Sequence, residues 1–303
     1  MTPYDPHRWT SHLFDLDGSM VREILGRVSA AVVWSGIVVV AYRLGLWFGL
    51  NLAIPITGHT LVGTVLGLLL VFRTNSSYDR FWEGRKQWGG IINESRNLAR
   101  QSSVWLAADR SLMREIIGWT IAFPFATMQR LRHAKGFGRE MTDLPASDIE
   151  RMATSSHLPL AIARHVTTLV VLAKDRNLID GLQLSSLDHN LQLLVDYCGA
   201  CERIRSTPLP YPYAVHLRRI LIAYCFTLPL ALVADYGWGT IPATLLIAYA
   251  LFGIEEIGVE IENPFGDTTN DLPLQALCLS IEATLSELME DDYRRAGEAP
   301  AEQ

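Results

Sequence analysis

Cysteine is scarce in this chain of 303 residues, which has only Cys198, Cys201, Cys225 and Cys278. That number is too low for a small secreted domain held together by disulfides. Cys198 and Cys201 form a single CxxC pair. A structural zinc site would need a second Cys or His pair, and a thioredoxin motif would need a βαβ pattern around it. We therefore interpret the pair as small residues at a helix contact.

An excess of positive charge is also missing. The chain has 26 Lys and Arg against 32 Asp and Glu, a net charge of −6, which gives no case for nucleic-acid binding. The GxSxG, P-loop and HExxH motifs are absent, so neither an enzyme nor a metal site is indicated. The first twenty residues lack an apolar core, so no cleavable signal peptide is expected. We find no strand pattern and no internal repeat.

Hydrophobic residues, by contrast, make up 49% of the chain and concentrate in four segments, at 28–42, 52–72, 220–234 and 236–254. The second and fourth approach or exceed the roughly 20 apolar residues that a membrane span needs. The first and third also reach that length if Arg43, Arg218 and Arg219 extend to the headgroups. Short connectors at about 49–51 and 235–239 predict two helical hairpins across a bilayer. A soluble protein with buried helices explains such pairs less well.

Lys and Arg residues cluster after the second segment and before the third, and the two tight turns have none. The positive-inside rule therefore places both termini and the middle of the chain in the cytoplasm. Helical periodicity continues through that middle part, for example at Leu187, Leu191, Leu194 and Cys198. We predict an all-α membrane protein. Its parts are a cytosolic N-terminal segment (1–26), two spans (27–72), a cytosolic helical domain (73–214), two further spans (215–258) and a cytosolic C-terminal turn, helix and tail (259–303).

The second segment has features of a pore wall. Gly63 and Gly67 are four residues apart, which lets helices approach closely, and Thr64, Leu68 and Phe72 form the neighbouring stripe. If several copies of this helix surround an axis, the glycines pack against the adjacent helix, and the stripe faces the axis and forms apolar rings that control ions by dewetting. The stripe could instead face lipid or the core. His59, near the outer end, could line the pore, but we favour a hydrogen-bonded structural histidine.

Acidic residues follow the fourth segment, at Glu255, Glu256, Glu260 and Glu262. They could attract cations at a pore mouth. A solvated helix end that pairs with the nearby arginines is the favoured alternative.

Three separated motifs carry a resemblance to a known family. "FRTNSSYDRFWEGRKQWG" at 72–89 is similar to the segment after the pore helix of prokaryotic bestrophins. "GACERIRSTPLPYPY" at 199–213 resembles their stretch before the third span, and "ENPFGDTTNDLPLQALC" at 262–278 resembles their NPFG signature. "DGSM" at 17–20 fits a short N-terminal motif of the family. The resemblance covers about residues 10–290 and follows the same order on a four-span layout.

The resemblance implies a homopentameric ion channel with a narrow neck and a second, cytosolic aperture. The implied neck residues are Thr64, Leu68 and Phe72, where Thr64 departs from the family's bulky apolar pattern and would widen the outer ring. The implied aperture residue is Leu182, with Ile179 as the second choice. The pore helix is expected to continue into the cytosol beyond Arg73, and Asn75, Tyr78 and Arg80 would hold the membrane and cytosolic layers in register.

The prokaryotic branch of the family and the acidic chain together favour monovalent cations over anions. The alternatives are a chloride channel of the same architecture, a secondary transporter or a non-conducting scaffold. No cofactor is expected. Animal members bind calcium through an acidic run after NPFG, and here "DTTND" at 267–271 replaces most of the acids, which argues against calcium activation. The implied location is the inner (plasma) membrane, as a multi-pass protein of the lipid bilayer.

Overall fold

The computed structural model describes residues 20–47, 53–138 and 144–297, with the backbone alone at 46, 47 and 290–297. These residues form helices and no strand, which confirms the all-α class for the described part of the chain. The helices are α1 Val21–Trp47, α2 Ile56–Trp105, α3 Arg110–Leu131, α4 Ala146–Ala153, α5 Leu158–Asp175, α6 Gly181–Ser206, α7 Tyr211–Tyr236, α8 Thr240–Glu260 and α9 Leu274–Gly297.

Three helical stretches are long and apolar enough to cross a membrane: Val21–Gly45, Ile56–Trp105 and Tyr211–Glu260. The third contains both α7 and α8, which a 3₁₀ turn at Gly237–Gly239 separates. Gly237 has a φ of +51°, a conformation that glycine adopts at little cost. The second predicted connector is therefore a tight turn. The first connector, at 49–51, and residues 17–19 of "DGSM" lie outside the described residues.

Helix α2 continues without a break from Ile56 to Trp105, a length of 50 residues. At a rise of about 1.5 Å per residue it is roughly 75 Å long, more than twice the roughly 30 Å hydrocarbon thickness of a bilayer. The change from apolar to charged residues at Arg73 is thus a change within one helix, as predicted.

The first compact unit consists of Met1–Phe81 and Pro208–Asn263. Its main apolar core takes one face from each of α1, α2, α7 and α8, with Ile24, Val28, Leu66, Leu70, Leu217, Leu221, Cys225, Ala248 and Phe252 buried together. Each helix leaves its opposite face exposed. For α2 this fixes which side chains belong to the core of the chain and which are free to meet lipid, a neighbouring copy or an ion path.

The second unit consists of Trp82–Thr207 and Pro264–Gln303. Helix α3 lies at its centre, buried on nearly all sides, and contacts α5 and α9. Asp109 caps α3 by accepting a hydrogen bond from the Leu112 amide at 3.1 Å. The predicted stripe on α6 is confirmed as core, since Leu187, Leu191, Leu194 and Cys198 are all buried. The start of α6 is fixed by a capping box between Asp180 and Gln183.

Candidate pore and buried ion pairs

The predicted neck residues lie on the face of α2 that the core of the first unit does not use. Leu68 and Phe72 are 56% and 55% exposed, and Thr64 is exposed as well, whereas Leu66 and Leu70 are buried. The Thr64 hydroxyl donates a hydrogen bond to the Thr60 carbonyl at 3.0 Å, within its own helix. The stripe is therefore available to a pore, and its role as the neck stays a prediction.

Gly63 lies at a close contact between two helices of the same chain. A Cβ atom at this position would lie 2.6 Å from the hydroxyl of Tyr224, so the glycine admits α7 of the same chain. The close helix approach expected at Gly63 is thus present with α7, and packing between copies stays a prediction. The Tyr224 ring also stacks on His59, with centroids 4.1 Å apart. His59 Nε2 makes no hydrogen bond within the described residues.

Arg73, at the point where α2 becomes charged, is buried rather than solvated. It is 1% exposed, and its Nη1 lies 3.3 Å from Oε1 of Glu255, whose side chain is 2% exposed. Its Nη2 lies 3.8 Å from Glu262 Oε2. A Cβ atom at Gly258 would lie 3.3 Å from Arg73 Nε, so this glycine makes room for the guanidinium. Burial of an ion pair costs desolvation free energy. Removal of only one partner is strongly destabilising, because the other charge stays buried without compensation.

Two further arginines complete the network around Glu255. Arg218 Nε donates to Glu255 Oε1 at 3.0 Å, and Arg27 Nη1 donates to Oε2 at 3.3 Å. Arg27 Nη2 also lies 2.7 Å from Glu256 Oε2. The sequence did not single out Arg27, because a lone charge beside an apolar run does not reveal its partner.

Three of the four acids at and just after the end of α8 thus pair with arginines, as the favoured alternative predicted, but they are not fully solvated. Glu255 and Glu256 are buried. Glu262 accepts a hydrogen bond from the Leu209 amide at 3.0 Å, and its carbonyl accepts one from Arg80 Nε at 3.2 Å. Glu260 is half-buried. Such paired carboxylates present little free negative charge to a passing ion.

The remaining residues predicted to couple the layers, Asn75 and Tyr78, are exposed on α2. Arg73 and Arg80, in contrast, both contact the end of α8 or the residues just after it. The structure therefore brings two of the four residues together around one acidic segment. Their role in coupling stays a prediction.

The two candidates for the cytosolic aperture differ sharply in exposure. Leu182, in the first turn of α6, is 83% exposed, whereas Ile179, just before the helix, is 5% exposed. Leu182 is the side chain that can reach an ion path, and Ile179 is part of the core. The aperture assignment stays a prediction and favours Leu182 on exposure alone.

The turn after the NPFG motif uses its carboxylates internally. Asp271 is buried, and its Oδ2 accepts hydrogen bonds from the amide and hydroxyl of Thr268 at 2.6 and 2.8 Å. Asp267 pairs with Arg132 at 3.1 Å. A calcium ion needs several oxygen ligands, and these contacts occupy one oxygen of each carboxylate, so the lack of calcium activation stays a prediction.

The CxxC pair lies inside the second unit. Both thiols are buried, and burial raises the pKa of Cys198 to about 12 and also raises that of Cys201. Only the thiolate is a good nucleophile or metal ligand, so these thiols are poorly suited to either role at neutral pH.

Comparisons with known proteins cover nearly the whole chain. The family model described as Bacterial/Fungal Bestrophin protein matches residues 1–287. A voltage-dependent anion channel-forming protein of Nostoc sp. is 39% identical, with 92% of this chain and 91% of that protein covered. A protein of the same description from Synechocystis sp. is 38% identical, covering 94% and 93% of the two chains.

The fold is also similar to that of a crystal structure. A bacterial bestrophin homologue from Klebsiella pneumoniae has a TM-score of 0.82 and 28% identity, with 88% of this chain and 98% of that chain covered.

Proposed function

The chain belongs to the bestrophin family of ion channels, and from that premise we propose that it is a homopentameric channel that conducts monovalent anions across a membrane. The observation that carries the anion assignment is the pairing of Glu255 and Glu256 with arginines, because it removes the acids on which the cation preference depended. The names of the relatives, which describe anion channel-forming proteins, also favour an anion channel. The preference for cations is therefore not retained.

Exposed arginines on α2 also support conduction of anions. Arg85, Arg96 and Arg100 are exposed along the part of α2 that follows Arg73. An apolar neck does not select the sign of an ion by itself, so charges at the mouths of the pore must do so. In a ring each of these arginines would be repeated in every copy, and together they would raise the local concentration of chloride.

The deciding experiment is the reversal potential of the purified protein in a planar bilayer under a potassium chloride gradient. We expect it to shift toward the chloride equilibrium potential. The double variant Arg96→Gln/Arg100→Gln should move it back toward zero, whereas Leu68→Ala should change the current without changing this sign. A shift of the parent channel toward the potassium equilibrium potential would contradict the anion proposal and leave the channel family unaffected. No cofactor is proposed, so chelation of calcium in the same recording should leave the current unchanged.

The assembly is proposed as a ring because one copy of α2 cannot enclose a path by itself. In such a ring Thr64, Leu68 and Phe72 would form the neck, and Leu182 the aperture. Light scattering of the detergent-solubilised protein, corrected for bound detergent, is expected to give a mass of about five chains. A monomer or dimer that still conducts ions would contradict the ring.

The topology proposed for this channel has four spans within 27–72 and 215–258, in an inner (plasma) membrane. Residues 1–26, 73–214 and 259–303, with both termini, would lie in the cytoplasm. Cysteine labelling of intact cells with an impermeant reagent should therefore modify Trp238→Cys and miss Lys135→Cys, which should react after permeabilisation. Trp238 and Lys135 are both exposed and the four native cysteines are buried, so background labelling is low. Labelling of Lys135→Cys in intact cells would reverse the orientation.

A further inference from the structure

Three side chains from three helices of the second unit converge at a position that no sequence motif marked. They are Glu115 on α3, Asp148 on α4 and His165 on α5, which we call the Glu–Asp–His triad. Each offers one ligand atom, and these atoms all lie within 4.8 Å of one another. The side chains are 29%, 19% and 16% exposed, so the triad is largely buried but open to small solutes.

The imidazole of His165 has a buried nitrogen without a hydrogen-bond partner among the described residues. Its Nε2 atom is buried and makes no hydrogen bond among the described residues, and Glu115 Oε1 lies 3.5 Å away. Hydrogen bonds of this kind normally span about 2.7–3.2 Å. Trp119 packs edge-on against the ring, with centroids 5.1 Å apart, and so restrains its orientation. A cation between the nitrogen and the carboxylates would satisfy all three groups.

The donor set points to a class of ion. Calcium and magnesium prefer ligand shells of oxygen alone, whereas zinc and neighbouring transition metals accept imidazole together with carboxylates. Zinc bonds to such ligands are about 2.0–2.2 Å long, so the ion would draw the three atoms slightly closer together. We propose that the Glu–Asp–His triad binds one divalent transition-metal ion of the zinc type in each chain.

Arg151 provides the alternative that the experiment must separate. Its Nη2 lies 2.7 Å from Asp148 Oδ1, and its side chain is 66% exposed. This arginine can balance part of the negative charge without a metal, and it can swing into solvent when a metal arrives. Removal of Arg151 should therefore preserve or strengthen metal binding, although it would weaken a purely structural ion pair.

A bound ion would connect α4 to α3 and α5. Helix α4 has only 8 residues and no side-chain hydrogen bond at its N-cap, so few local interactions hold it in place. Coordination of Asp148 would supply such an interaction. Because the ion binds the folded form, zinc should raise the free energy of unfolding by RT ln(1 + [Zn]/Kd), and with it the thermal stability of the protein.

The test uses the purified full-length protein, stripped of metals by a chelator and titrated with zinc chloride in a calorimeter. We expect one tight site per chain. His165→Gln and Glu115→Gln should each weaken it at least about tenfold, since even indirect partners of a metal cost that much. Arg151→Gln should bind as well as the parent, and so should His189→Gln, which removes an exposed imidazole elsewhere on α6. Magnesium chloride should not bind at this site.

A second measurement does not depend on the folding of any variant. X-ray absorption of the zinc-loaded parent should show nitrogen and oxygen ligands without sulfur, which distinguishes the triad from the cysteines. The proposal would be overturned if the heat of zinc binding were equal in the parent, His165→Gln and Glu115→Gln. Sulfur ligation or the lack of a stoichiometric site would also overturn it. None of these outcomes bears on ion conduction, so the proposed function stands or falls separately.

Discussion

Glu255→Gln is expected to destabilise the channel by roughly 3 kcal/mol, the low end of the cost of breaking a buried ion pair, because Arg73 then keeps only the longer contact with Glu262, at 3.8 Å. The reason lies in Arg73, which is 1% exposed and cannot turn to water when Glu255 loses its charge. Arg27 and Arg218 are 44% and 53% exposed, so they can be hydrated instead. The free energy of unfolding in detergent micelles, from denaturant titration, measures the loss.

Glu256→Gln is the matched control, one residue further along α8. Its arginine partner, Arg27, is half exposed and keeps a contact with Glu255, so we expect a much smaller loss. The double variant Arg73→Met/Glu255→Leu should recover much of the stability, because a packed apolar pair replaces a buried ion pair at little cost. Equal losses for Glu255→Gln and Glu256→Gln would contradict the buried network.

Leu68→Ala is expected to raise the single-channel current or the open probability several-fold. If Leu68 lines the neck, its side chain helps to keep the constriction dry, and alanine would widen each ring and make it easier to hydrate. Leu68 is 56% exposed in the chain, so the substitution removes little core packing and should leave the fold intact. Recordings in planar bilayers at fixed voltage measure the change.

Val62→Ala is the control on the same helix. Val62 is 46% exposed but lies about 120° around α2 from Leu68, outside the proposed neck stripe. Its truncation should leave the current unchanged. If Leu68→Ala also leaves the current unchanged, or if Val62→Ala has the same effect, the stripe of Thr64, Leu68 and Phe72 does not line the neck.

The helices themselves could be predicted from the sequence because helical structure follows from local composition and periodicity. The charge-free segments indicated the apolar helices, and the stripe at Leu187, Leu191 and Leu194 indicated the buried face of α6. The continuity of α2 beyond Arg73 was an expectation from the resemblance to prokaryotic bestrophins, and the unbroken helix agrees with it. These features depend on residues a few positions apart, where sequence patterns are informative.

The partners of individual side chains could not be predicted in the same way. Gly63 belongs to a small-residue pattern typical of contacts between helices, but the pattern does not say which helix approaches, and it proved to be α7 of the same chain. The sequence showed four acids after the fourth segment, but it did not show the arginines that pair with three of them. The position of these acids in the sequence therefore did not determine the sign of the conducted ion.

The sequence by itself determined the membrane character, the helical class and the family, because these depend on local hydrophobicity, period and motif order. Only the tertiary structure decided that Arg27, Arg73 and Arg218 meet at Glu255, and that Glu115, Asp148 and His165 come together. Those contacts join residues far apart in the chain, and whether a charge is buried, and beside what, is fixed by the packing of whole helices.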